Sequence, residues 1–184
     1  MTDYRIVRSG RRTICLQWTG GGLVVRAPYG AAEAQIAAVV ERHARWIEKQ
    51  RERLRAAEER LPSTEKLTSE ELRALADRAL QTIPARVAHF APLVGVSYGR
   101  ITIRNQRTRW GSCSADGNLN FNCLLMLAPP EVLDSVVVHE LCHRKEPNHS
   151  KRFYAEVLRV CPDYWSRHSW LRENGPALLR RMTG

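Results

Sequence analysis

The spacing of apolar positions changes style three times along the chain, and each change marks a different kind of element. Ile6, residues 13–16 and residues 23–25 are short β-favouring stretches, separated by Ser9-Gly10 and by Thr19-Gly20-Gly21-Gly22. Residues 1–30 therefore read as an N-terminal β-meander. From residue 31 the period becomes helical. Ile36, Val40, His43, Ile47, Leu54 and Leu61 keep steps of three, four or seven, which predicts one long amphipathic helix over 31–61. Pro62-Ser63 breaks it. Thr68-Ser69-Glu70-Glu71 is a capping-box pattern. It opens a second helix with Leu72, Leu75, Leu80, Ile83 and Val87 on one face, which Pro84 should kink. Residues 31–94 thus form a helical segment.

A third style begins at residue 95. Ile101-Thr102-Ile103 reads as a strand, 109–114 as irregular, and Asp116-Gly117 as a turn. Residues 118–125 alternate, with Leu119, Phe121, Cys123 and Leu125 on one side and Asn118, Asn120 and Asn122 on the other. That is the pattern of a half-buried strand. Pro129-Pro130 opens a helix whose apolar face runs Val132, Leu133, Val136, Val137 and which Pro147 ends. Ser150 caps a helix through Phe153, Tyr154, Val157 and Leu158, stopped by Pro162. A last helix around 164–172 ends at Asn174-Gly175. The fold class is α+β, with residues 95–184 as a compact core and no internal repeat.

A chain of 184 residues can bury a core without covalent staples, and 43% apolar with 26% charged residues excludes disordered and fibrous classes. No apolar run approaches the roughly 18 residues of a membrane span. MTDYRIVRSG carries no apolar stretch of the kind a secretory signal needs. The five cysteines are odd in number and form no CxxC pair, which argues against a disulfide framework or a four-cysteine zinc knot. Reduced thiols and a cytoplasmic location are the expectation.

The net charge of +10 is uneven. Residues 1–60 carry 12 basic and 7 acidic side chains, residues 151–184 carry 7 and 3, and residues 101–150 balance at 5 each. Basic ends suit an anionic substrate or nucleic acid. However, Arg51, Arg53, Arg55 and Arg60 alternate with Glu52, Glu58 and Glu59, as on a solvated, ion-paired helix face, and no nucleic-acid-binding motif accompanies them.

The neutral block holds the chemistry. In His139-Glu140-Leu141-Cys142-His143 the two histidines stand four apart, so a helix puts both on one face, where they can share a metal. The glutamate between them can take a proton from a metal-bound water. A catalytic zinc has three protein ligands and one open position. His149 is the leading third ligand, because Pro147 and Asn148 break the helix and let the chain turn back; Glu146, Glu156, Asp163 and His168 are its rivals. Imidazole ligands suit zinc, and other first-row ions too.

These residues also resemble a known family. Arg109-Trp110-Gly111-Ser112-Cys113-Ser114, the Asn-rich strand, Val138 to His143, Asn148-His149-Ser150 and Phe153 look like the YgjP-like metallopeptidase domain. That is a group of small bacterial zincins distantly similar to SprT-like proteases. Cys161-Pro162-Asp163-Tyr164 and Trp170-Leu171 fit its tail. The resemblance is dense over 100–175 and looser before. It implies a zincin-like core, one Zn2+ per chain on His139, His143 and His149, and Glu140 as catalytic base. Tyr154 stands where the family often has Trp and Ser135 where it often has Tyr; both read as packing positions. The spacing from His143 to His149 is that of the metzincins, but Glu146 replaces their central glycine, so the chain is not read as one of them.

The first functional reading is a zinc metallopeptidase whose extended peptide substrate adds as a strand to 118–125. Arg109, Trp110, Asn120 and Tyr154 are candidate substrate or transition-state contacts, with His168 a further candidate for the oxyanion. A second reading is a metal-dependent hydrolase of another bond, such as a nucleotide phosphoanhydride. Positive charge favours it, but Gly20-Gly21-Gly22 lies in a hairpin and not before a helix. A third is a SprT-like protease associated with nucleic acid. A closed structural zinc site is disfavoured, since it has no use for Glu140.

Overall fold

The computed structural model describes residues 3–19, 22–60 and 65–182. The chain divides into two compact units, residues 1–66 with 173–182, and residues 67–172.

In the first unit β1 (Arg5–Ser9), β2 (Cys15–Thr19) and β3 (Gly22–Pro28) form a sheet of order β1-β3-β2. This is not the expected meander. β2 pairs antiparallel with β3, but β1 lies parallel to β3 on its other side. Burial explains the order. Leu23, Val24 and Val25 are consecutive and all buried, and such a run suits a strand covered on both faces, so β3 takes the middle.

The single helix expected over 31–61 is two, α1 (Glu33–Arg42) and α2 (Ala44–Arg60). His43 makes the break: its Nδ1–H donates to the Val39 carbonyl at 2.8 Å, and its backbone N–H is shared between Val39 and Val40. The apolar spacing passes through unchanged, and Ile36, Val40 and Ile47 pack in one core with Leu23, Val25 and Ala27. Leu54 and Ala57 pack with Ala177 and Trp18. Leu61 and the Pro62-Ser63 break lie outside the described residues.

The second unit opens with α3 (Ser69–Val94). The capping box forms as read: Thr68 Oγ1 accepts the Glu71 N–H at 3.2 Å, and the Glu71 carboxylate accepts the Thr68 N–H at 2.7 Å. The helix runs through Pro84 and Pro92 to Gly95, whose φ of 80° is the left-handed cap that glycine accepts. Its buried stripe is Leu75, Ala79, Ile83, Val87, Ala91 and Val94; Leu80 faces solvent.

β4 (Ile101–Arg104), β5 (Gly111–Cys113) and β6 (Leu119–Asn122) form a second sheet of order β4-β6-β5, with β4 parallel and β5 antiparallel to β6. Two expectations are corrected. Part of the segment read as irregular supplies the edge strand β5. The strand read over 118–125 stops at Asn122, and Cys123–Leu127 is a 3-10 helix. Asn122 causes the stop. Its side chain is wholly buried, its Oδ1 accepts the Leu124 N–H at 3.0 Å, and its amide donates to the carbonyls of Gln106 and Arg109 at 2.6 and 3.0 Å.

α4 (Pro130–Cys142) is the core helix, buried on nearly every side and ending well before Pro147. α5 (Lys151–Val160) is capped by Ser150, which accepts the Phe153 N–H at 3.2 Å. α6 (Tyr164–Arg180) runs on past Asn174-Gly175, where the sequence suggested an end. An interior glycine and proline cost about 1 and 3 kcal/mol. Ala177 and Leu178 become buried by continuing, and burial of the Leu178 side chain alone returns about 1.5–3 kcal/mol. Among the described residues no helix is long and apolar enough to cross a membrane.

Candidate metal centre and active site

α4 presents His139 and Glu140 from its last turn, His143 caps its C-terminus, and the following loop brings up His149 just before the cap of α5. His139 and His143 meet because a step of four is one helical turn. Their Nε2 atoms lie 3.3 Å apart, and His149 Nε2 is 3.0 Å from His139 Nε2. Ligand atoms of the three rings all lie within 4.8 Å of one another. Phe153 backs them, with ring centroids 4.5–4.9 Å from each imidazole.

The donor set fits a metal ion. His143 Nδ1 lies 3.1 Å from the Glu146 backbone carbonyl. A carbonyl only accepts, so Nδ1 carries the hydrogen and Nε2 keeps its lone pair for the cluster. His139 is driven down to about 3, first by burial and then by His143, His149 and His168, and burial also lowers His143. His139 and His143 are therefore neutral, as ligands must be. Nitrogens bound tetrahedrally to zinc at 2.0–2.1 Å sit roughly 3.3 Å from each other, which is the scale of this cluster.

His149, and none of its rivals, joins the other two. Glu146 contributes its backbone carbonyl to His143. The Glu156 carboxylate pairs with Lys145 at 2.9 Å and Arg159 at 3.1 Å. Asp163 faces Arg167 at 3.7 Å. His168 lies against Tyr164, with ring centroids 5.5 Å apart.

Glu140 is only 6% exposed, and burial raises its carboxyl to about 8, with Arg109 pulling the other way. Gly111 makes room for it. A Cβ at Gly111 would stand 2.6 Å from Glu140 Oε1 and 2.7 Å from its Cγ, so only glycine lets β5 approach this closely. Beside His139 and Glu140 opens a cleft of about 270 Å³ lined by Arg109, Trp110, Ser135, Tyr164, His168 and Leu171.

The remaining candidates separate. Arg109 and Trp110 line the cleft. Asn120 spends its amide on Ser112 Oγ at 3.3 Å, tying β6 to β5. Tyr154 stacks between His149 at 6.1 Å and the half-exposed Trp165 at 4.9 Å, and its hydroxyl makes no hydrogen bond among the described residues. Tyr164 was not singled out by sequence reasoning: its hydroxyl lies 2.9 Å from His139 Nδ1. Burial lifts its pKa far above the ordinary phenol value, so it stays protonated. The sequence signal was its place in the Cys161 to Tyr164 tail, which named no partner.

The strand expected to receive a peptide is also corrected. β6 lies between β4 and β5 and has no free edge. The edge strands are β4 and β5, and β5 is the one whose Gly111 lies against Glu140. Asn122 N–H bonds the Trp110 carbonyl and Ser114 N–H bonds the Asn118 carbonyl, both at 2.9 Å. By the antiparallel alternation, the N–H and C=O groups of Gly111 and Cys113 therefore face away from β6.

Comparison with curated protein sequences finds no match. A solved structure, that of the metallopeptidase zymogen of Pyrococcus abyssi abylysin, is similar over 50% of this chain and 98% of its own length, with 19% identity and a TM-score of 0.43. The sequence pattern of the YgjP-like metallopeptidase domain matches residues 12–76 and 64–174. That covers well over half of the chain, which belongs to the YgjP-like metallopeptidase domain family.

Proposed function

We propose that the chain is a zinc-dependent peptidase with a zincin-type site, in which His139, His143 and His149 hold one Zn2+ and Glu140 is the general base. One observation carries the reading: three imidazoles converge beside a buried carboxyl that lies against a strand edge. Zinc on such a cage supplies a Lewis acid that brings the pKa of bound water to about 7 and polarises a carbonyl.

This chain's residues do the rest. Glu140 takes the proton of the attacking water and passes it to the leaving nitrogen. Burial makes its carboxylate a stronger base than an exposed one. An extended peptide pairs with the outer edge of β5, where Gly111 and Cys113 offer N–H and C=O groups two residues apart. Gly111 brings that peptide backbone next to Glu140. Tyr154, with an uncommitted hydroxyl beside His149, donates to the oxyanion of the transition state. Arg109 and Trp110 line the cleft where a substrate side chain enters.

Metal per chain measured by plasma mass spectrometry on wild type and His149→Ala tests the cage. Digestion of an unfolded protein by wild type and Glu140→Gln tests the chemistry. The reading expects about one zinc in wild type, clearly less in His149→Ala, and digestion abolished in Glu140→Gln with zinc retained. Equal zinc in wild type and His149→Ala, or a zinc-loaded wild type inert on unfolded protein, would overturn it.

A further inference from the structure

We propose that Tyr164 is the positioning residue of the metal cage, accepting the Nδ1–H of His139 on its phenolic oxygen and thereby holding His139 Nε2, lone pair inward, toward His143 and His149. This rests on reading the three histidines as a metal site.

The geometry is specific. Tyr164 is the first residue of α6 and is 3% exposed. Its hydroxyl is 2.9 Å from His139 Nδ1 and has no other hydrogen-bond partner among the described residues. Its ring lies nearly parallel to that imidazole, 18° between planes at 6.0 Å. A buried phenol needs a polar partner, and His139 supplies it across 25 residues of chain. The backbone of Tyr164 is fixed in turn, its N–H bonding the Cys161 carbonyl at 3.0 Å around Pro162.

Each of two ligands then has its own tautomer guide. For His143 it is the Glu146 carbonyl, which can only accept. For His139 it is Tyr164, whose hydroxyl oxygen accepts the Nδ1–H once Nε2 is given to the metal. Without that oxygen the His139 proton moves to Nε2, where His149 Nε2 at 3.0 Å accepts it, and the inward lone pair is lost to the cage. Tyr164 acts through His139 and not on the reaction, because Nδ1 is on the opposite edge of the ring from Nε2.

Tyr164→Phe removes one oxygen and keeps the ring. Zinc affinity measured by chelator competition should fall about 10–100-fold, the range for loss of such an outer partner. Tyr154→Phe removes a neighbouring phenol with no bond to a ligand, and should leave zinc affinity unchanged. Histidine nitrogen NMR supplies a readout that a packing role would not move: His139 Nδ1–H should be slow to exchange in wild type and fast in Tyr164→Phe. The 15N shifts of His139 in chelator-treated protein should also change between wild type and Tyr164→Phe. If the wild type binds no zinc, the metal reading fails, and the 15N comparison still decides the Tyr164–His139 link. Unchanged zinc affinity in Tyr164→Phe, an equal loss in Tyr154→Phe, or His139 nitrogen signals identical in wild type and Tyr164→Phe would overturn the proposal.

Discussion

Glu140→Gln should make the metal-free protein more stable at alkaline pH and leave it nearly unchanged at pH 5. Glu140 is a buried carboxyl whose pKa rises from 4.5 to about 8 through burial. Well below pH 4.5 the group is neutral in folded and unfolded chains and costs nothing. Above that value the unfolded chain releases the proton while the folded chain keeps it, so stability falls with rising pH until about 8. At about 1.36 kcal/mol per pKa unit the full span is worth roughly 5 kcal/mol, of which about 3 falls between pH 5 and 8. His139 works in the opposite direction. Burial lowers it from 6.5 to about 3, so its contribution is complete above 6.5 and fades as pH falls; between pH 8 and 5 it loses about 2 kcal/mol.

The two trends oppose each other in wild type and leave only about 1 kcal/mol, so its own pH profile is a poor test. The difference between wild type and Glu140→Gln isolates the carboxyl, because glutamine keeps the shape and cannot ionise. Urea unfolding of chelator-treated proteins across pH 5–8 measures it. The curves should coincide near pH 5 and diverge to about 3 kcal/mol in favour of the variant at pH 8. A stability difference that does not change with pH would falsify the placement of Glu140 as a buried, uncompensated acid.

Gly111→Ala would put a methyl 2.6 Å from Glu140 Oε1 and 2.9 Å from its Cδ, forcing the carboxyl to shift by roughly 0.5–1 Å. Misplacement on that scale costs up to about 100-fold in rate, so kcat/KM on an unfolded protein should fall about 10–100-fold while metal analysis still finds zinc; wild-type kinetics would refute the contact. Tyr154→Phe should lower kcat about 10-fold or more with KM little changed, and steady-state kinetics showing an effect on KM alone would make Tyr154 a ground-state contact.

The clustering of the three histidines was largely legible because its information is local. A step of four on a helix brings His139 to His143 whatever surrounds them, and Pro147-Asn148 announces a turn that can return His149. Features set by distant pairing were not legible. Both sheets place a strand from the end of their sequence segment in the middle, a choice made by which strand can be buried on both faces. The alternation over 118–125 continues past the point where the Asn122 side chain diverts the backbone, because Cys123, Leu124 and Leu125 are all buried and alternation has no face left to report. His43 carries the apolar spacing of one helix straight through the end of α1. Tyr164 gives no sign in its own neighbourhood that its hydroxyl belongs to His139.

The same burial choice produces the proposed substrate edge. Leu119, Phe121 and Asn122 are buried, so β6 must be covered on both sides and the shorter, less buried β5 is left outside. An edge of three residues is too short to invite another sheet, yet Gly111 and Cys113 still present two backbone positions that a peptide can pair with. The strand's one glycine falls where the edge meets Glu140, so the residue that makes room for the proposed base would also admit the proposed substrate backbone. A longer β5 would pair better with foreign strands, and one with a side chain at 111 would displace the base. The proposed peptide binding at this edge would therefore depend on a strand that is short and bare at that one position.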